Sequence, residues 1–179
     1  MKAVLISIRP KWVELIVAGK KTVELRKTKP SIEPPFRCYM YMSKYHWAFD
    51  LLRKYGMEDL AERLMFETGK VVGEFTCDQI EQIAVAFDGG SGPLKAIGGN
   101  EVWYGGAVQI FTCLTTEEIC KYIGGIGGVG YGWHISDLKI YEEPVELGDC
   151  QRFVDRPGAY GVFSIERAPQ SWCYMEEKK

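Results

Sequence analysis

Residues 7–26 read SIRPKWVELIVAGKKTVELR, and the fold turns on how this stretch is read. Pro10 suits the first turn of a helix, where its missing N–H costs nothing. Trp12, Val13, Leu15, Ile16 and Val17 supply an apolar face behind it. Gly19 stands where a helix needs a left-handed C-cap, so the spacing predicts a helix of roughly ten residues. Lys20 and Lys21 close it near its negatively polarised end. Thr22-Val23-Glu24-Leu25-Arg26 then alternates polar and apolar residues as a half-buried strand does. Val23 and Leu25 point to the core, while Thr22, Glu24 and Arg26 share the opposite face.

Working outward, AVLISI (3–8) is an apolar, β-branched run suited to a buried strand, which Arg9-Pro10 ends. On the other side, KTKPSIEPPF (27–36) is a proline-punctuated loop and RCYMYMS (37–43) a further strand. Between Trp47 and Met65 the apolar residues fit two short helices broken at Gly56, so residues 43–68 are predicted as a helical insertion. KVVGEFTC (70–77), Gln79–Val85, Trp133–Tyr141 and Tyr160–Glu166 read as strands, and residues 88–106 as a glycine-rich loop. Thr115-Thr116-Glu117-Glu118 carries capping residues for a short helix ending near Tyr122. Several short strands with few helices between them predict an α+β, mainly β chain closed as a barrel. The tail 167–179 places Trp172 and Tyr174 beyond the last strand, to dock on the barrel or on a partner.

The 179 residues, 46% of them hydrophobic, fit one compact domain spanning 1–179. Lys+Arg of 22 against Asp+Glu of 24 leaves a net charge of -2, so a polyanion must be met by a local basic patch, and long duplex DNA is a poor fit as the main ligand. Six cysteines without a C-x-x-C pair and only two histidines, His46 and His134, argue against a metal site. The glycine runs match neither phosphate-cradle pattern, and no cofactor is expected. The apolar N-terminal run is too short for a signal peptide, and no stretch approaches the roughly 18 apolar residues of a membrane span, so a cytoplasmic protein is expected.

Gly19, Lys21, Glu24 and Arg26 match in order the G-x-K-x-x-E-x-R signature of the ASCH domain, which this stretch resembles. VVGEF (71–75) resembles the family's middle strand and GYGWHISDLKIYEEPVEL (130–147) a later one, so the likeness runs from about residue 3 to 166 with two insertions. The resemblance implies a PUA-like β-barrel with short flanking helices, one of them closing an end. It also implies a link to RNA and its modified bases. One bacterial branch of the family is an amidohydrolase that deacylates N4-acetylcytidine with the motif lysine, a threonine and a glutamate. In that branch the threonine occupies the place of Glu24.

Two functions follow as expectations. The first is a module binding RNA or a nucleoside or nucleotide through Lys21, Glu24 and Arg26. Trp12 would serve as a stacking face, worth roughly 1–3 kcal/mol per base, and Ser7 as a hydrogen-bond donor. The second is an amidohydrolase with Lys21 as base or nucleophile and Glu24 as orienter or acid. Like charge crowded around a lysine readies it for such work, and Lys21 lies beside Lys20 and Arg26, but a carboxylate at Glu24 holds it charged, which suits anion binding better. Against both stands a solvated strand face with ion pairs worth roughly 0–1 kcal/mol each. Trp12, Tyr39, Tyr41, Trp103 and Trp133 serve equally as core, Ser7 as a turn residue, and His134 reads as a structural histidine. A protein-interaction role for the Trp47–Met65 helices is a third expectation.

Overall fold

A computed structural model describes residues 2–44, 52–85, 94–98, 101–125 and 127–177, with the backbone alone for residues 85, 94–98 and 101–106. Twelve strands are described: β1 Lys2–Ile8, β2 Val23–Arg26, β3 Phe36–Met42, β4 Lys70–Cys77, β5 Ile80–Val85, β6 Leu94–Gly98, β7 Glu101–Tyr104, β8 Val129–His134, β9 Ser136–Glu146, β10 Gln151–Arg156, β11 Ala159–Ser164 and β12 Trp172–Glu176. The helices are α1 Pro10–Val17, α2 Glu58–Glu67, α3 Gly105–Thr112 and α4 Thr116–Ile123. The chain is mainly β with some helices, as expected. In place of one closed barrel, the described strands form two open five-stranded sheets and a two-stranded hairpin.

The described residues divide into two compact units, and the chain passes between them repeatedly. The first comprises Met1–Glu14, Arg37–Phe75 and Leu138–Lys179. Its sheet runs β12-β1-β3-β4-β9, with β1 antiparallel to β12 (Val4 opposite Tyr174) and parallel to β3 (Val4 opposite Cys38). β1 lies between β12 and β3, and its run Ala3–Ile6 is fully buried with side chains of both faces covered, which is why it reads as continuous apolar sequence instead of alternating. Ala3, Leu5, Tyr39, Tyr41, Val71 and Met175 build the core here. At Gly73 the carbonyl of Lys139 lies 2.5 Å from where a Cβ would stand, so β4 and β9 meet there only because that residue has no side chain.

The second unit, Leu15–Phe36 and Thr76–Asp137, holds the sheet β2-β8-β5-β6-β7. Leu25 and Ile83 of this sheet pack with Val108 of α3 and Ile119 and Ile123 of α4. Gly130 and Gly132 make room for that packing, because a Cβ at either would come within 2.8 Å of Ile123 or Val23. The helix α4 starts, as its sequence predicts, on capping residues at 115–118, with a reciprocal capping box between Thr115 and Glu118, and it ends on left-handed Gly124.

Several boundaries differ from the sequence reading. Within 88–106, residues Leu94–Gly98 and Glu101–Tyr104 pair as antiparallel strands, and α3 begins at Gly105. The predicted strand Trp133–Tyr141 is two strands, β8 and β9, separated at Ile135, beyond which Asp137 takes a positive φ of 47°. The tail past residue 167 contributes a further strand, β12, paired with β1. Residues 45–51, with Trp47, Phe49 and Leu51, and the side chain of Trp103 lie outside the described residues. Of the stretch 43–68, α2 is a ten-residue helix with Ala61 and Leu64 buried. No helix among the described residues is long and apolar enough to cross a membrane.

Candidate functional site

The short strand β2 follows a helix that ends as its sequence predicts: Gly19 takes a φ of 67°, and the amides of Lys20 and Lys21 both donate to the carbonyl of Leu15. Leaving that cap, the chain runs against the C-terminus of α3, whose last carbonyls have no partner within their own helix. The amide of Thr22 donates to Phe111 O at 3.0 Å, and the Lys21 ammonium donates to Thr112 O at 2.7 Å and to Val23 O at 2.9 Å. Lys21 thus caps α3 from a point 91 residues away in sequence, where the negative end of the helix dipole favours a cation.

Glu24 lies between two cations. Its Oε2 is 3.2 Å from Lys21 Nζ, and its Oε1 is 2.9 Å from a terminal guanidinium nitrogen of Arg26. All three residues are buried, Lys21 to 2% exposure and Glu24 and Arg26 to 6% each. The expected alternative of a solvated strand face therefore fails, and so does the expectation that β2 is half-buried: all four of its residues are covered. The buried charges sum to one positive unit, which neutral groups must offset in the free protein.

Register fixes what shares their face. Glu24 lies opposite Trp133 and Arg26 opposite Tyr131 on β8, and Tyr131 in turn lies opposite Gln82 on β5. Trp133 is fully buried, with Phe36 meeting its ring edge-on at 5.8 Å, so it packs the core and is no platform. The other face carries a second ionisable pair that sequence reasoning missed. Glu81, 2% exposed, places Oε1 3.2 Å from His134 Nε2 and accepts from Gln79 Nε2 at 3.1 Å. Glu81 alternates in phase with Ile83 in a predicted strand, and a carboxylate at an inward position was the available signal. His134, expected as a buried structural histidine, is half-buried and lies beside the Glu81 carboxylate.

Ser7 and Trp12 belong to the other unit. There the Ser7 hydroxyl donates to Pro169 O at 2.7 Å, and Lys11 Nζ lies 4.4 Å from the centre of the Trp12 ring. Tyr39 and Tyr41 are core residues. Glu74 of β4, inside the VVGEF segment, accepts from the Tyr141 hydroxyl and from Arg37. Burial and the carboxylate both push the Tyr141 phenol far above its ordinary range, so Tyr141 is a fixed donor.

The motif residues Lys21, Glu24 and Arg26, spaced as read from the sequence, thus form one ion-paired cluster, and residues 6–86, which contain it, match the ASCH domain family. Residues 6–86 carry an ASCH domain. Solved structures agree in fold: ASCH from Zymomonas mobilis aligns at 15% identity with a TM-score of 0.52, over 98% of this chain and 88% of that one. A tyrosine-to-phenylalanine variant of that protein aligns at 16% identity and a TM-score of 0.52, over 99% and 92% of the two chains. At such identity the likeness speaks for the ASCH fold and not for a reaction. No protein of curated function matches the sequence.

Proposed function

We propose that this ASCH domain binds single-stranded RNA or a modified nucleotide in a cleft at Glu24 and Arg26 of β2, with Lys21 holding Glu24 in place. The observation that carries the reading is the buried charge: two cations share one carboxylate, and an anionic or electron-rich ligand offsets the surplus. Arg26 offers a planar fork suited to a phosphate or a base edge, and Tyr131 lies across from it on the same sheet face. Glu24 suits an exocyclic amine as a further donor to its oxygens. Ser7 and Trp12 are not required for this reading.

The geometry favours binding over amide hydrolysis. Lys21 directs its ammonium to two backbone carbonyls and a carboxylate, which holds it where it caps α3. A base or nucleophile needs its lone pair aimed at substrate.

A thermal-shift series with nucleosides, nucleotides and short RNAs tests the proposal. A ligand at about 100-fold above its Kd stabilises the native state by about 2.7 kcal/mol. For a chain of this size that raises Tm by roughly 5–11 °C. The shift is expected in the wild type and strongly reduced in Arg26→Lys, which keeps the charge but loses the fork. A full panel without a shift, or an unchanged response in Arg26→Lys, counts against it.

A further inference from the structure

We propose a second ligand site: the groove on one face of the β10–β11 hairpin takes a short segment of a single-stranded nucleic acid, with successive phosphates on its arginines and a base against Phe163. Arg152, Val154 and Arg156 follow one another at every second position of β10 and so share a face. Arg152 lies directly opposite Phe163, while Val154 faces Gly161 and Arg156 faces Ala159. Arg167 and Glu166, just past β11, complete the walls of a cavity of about 360 Å³. That volume lies within the range of roughly 300–1,000 Å³ seen for small-ligand sites.

The charge of the groove selects its occupant. Three guanidinium groups face one carboxylate, Glu166, and Asp155 of β10 falls on the opposite face of the hairpin. Among the described residues, none of the three arginines is in an ion pair, and all three are exposed. This is a local basic patch on a chain whose net charge is -2, the form that polyanion binding has to take here. Phe163, 45% exposed, adds an aromatic face beside the cations. Arginine forks matched to phosphate and a ring for stacking suit single-stranded nucleic acid, and an acidic peptide would leave the ring unused.

The test measures fluorescence anisotropy of a labelled single-stranded RNA of about ten nucleotides over a range of salt. Each phosphate contact contributes a slope of about -0.7 in log K against log salt, so three arginines give about -2. Arg152→Gln with Arg156→Gln is expected to flatten the slope by about 1.4, and Arg152→Lys with Arg156→Lys to retain it. Phe163→Ala is expected to weaken binding roughly 5- to 140-fold with the slope unchanged. Circular dichroism verifies that each hairpin variant is folded. An unchanged slope and affinity in the double glutamine variant overturns the proposal. So does polyglutamate competing equally well at matched charge while Phe163→Ala binds as the wild type does, which gives the groove to an acidic peptide. The inference does not rest on the Glu24–Arg26 site, since the double glutamine variant is expected to leave the thermal shifts with uncharged nucleosides unchanged and Arg26→Lys to leave the hairpin's share of the salt slope unchanged.

Discussion

Replacing Glu24 with glutamine keeps the size of the side chain and removes the charge that Lys21 and Arg26 share. The wild-type contacts are 3.2 Å and 2.9 Å long, and the three residues are 2–6% exposed, so little water is available to solvate the cations left behind. Breaking a buried ion pair from one side costs about 3–5 kcal/mol. Lys21 keeps its bonds to Val23 O and Thr112 O, which sets the expectation at the lower end, about 3 kcal/mol. For a chain of this length that is a drop in Tm of roughly 6–12 °C. Urea unfolding followed by circular dichroism gives the same quantity as a lower midpoint with an unchanged slope. An internal control exists in Glu14, whose pair with Arg63 is 42% and 48% exposed, so Glu14→Gln is expected to cost at most about 1 kcal/mol. Added salt screens the Glu14 pair and leaves the Glu24 loss nearly intact. If Glu24→Gln melts within about 1 °C of the wild type, the cluster is not the buried, mutually dependent set described above.

Incubation with N4-acetylcytidine is expected to release no cytidine, since Lys21 is bonded as a charged donor; release by the wild type that disappears in Lys21→Ala would establish the hydrolase instead. Gly73→Ala is expected to cost about 1–3 kcal/mol in urea unfolding, because the new methyl meets the Lys139 carbonyl, whereas Gly148→Ala, with open space around it, is expected to change little. Burial, with Asp78 nearby, pushes the Cys77 thiol up to about 12, so iodoacetamide at about pH 8 is expected to label it only after unfolding. The same shift makes folding less favourable as pH rises from 9.0 towards about 12, because over that range only the unfolded chain gives up the proton. Labelling of native Cys77 as fast as of a free thiol would contradict its burial.

Local rules carried the reading furthest where one element explains itself. Pro10, the apolar positions of α1 and Gly19 mark the helix and its end, and Thr115 with Glu118 marks the start of α4. The run 3–8 and the alternation in 22–26 identify β1 and β2. What escaped depends on partners distant in sequence. The strand β12 forms because β1 offers an edge to residues more than 160 positions away, and nothing near Trp172 signals that. Gly130 and Gly132 look like loop residues until Ile123 of α4 is laid against the first and Val23 of β2 against the second, when the missing Cβ atoms become the condition for a packed strand. The candidate site divides in the same way. Lys21, Glu24 and Arg26 were legible from their spacing, whereas the bond from Lys21 to Thr112 was not, and it turns the lysine from a candidate base into a helix cap.

The central claim is that a nucleotide or nucleoside is bound at Glu24 and Arg26 on β2. The most direct measurement is a titration of the isotopically labelled protein with uncharged nucleosides, including N4-acetylcytidine, followed by backbone amide chemical shifts. The expected result is a saturable set of shifts centred on Glu24, Arg26 and Tyr131, absent in Arg26→Lys. Saturable shifts confined to other residues, or the same β2 shifts in Arg26→Lys, would contradict the account.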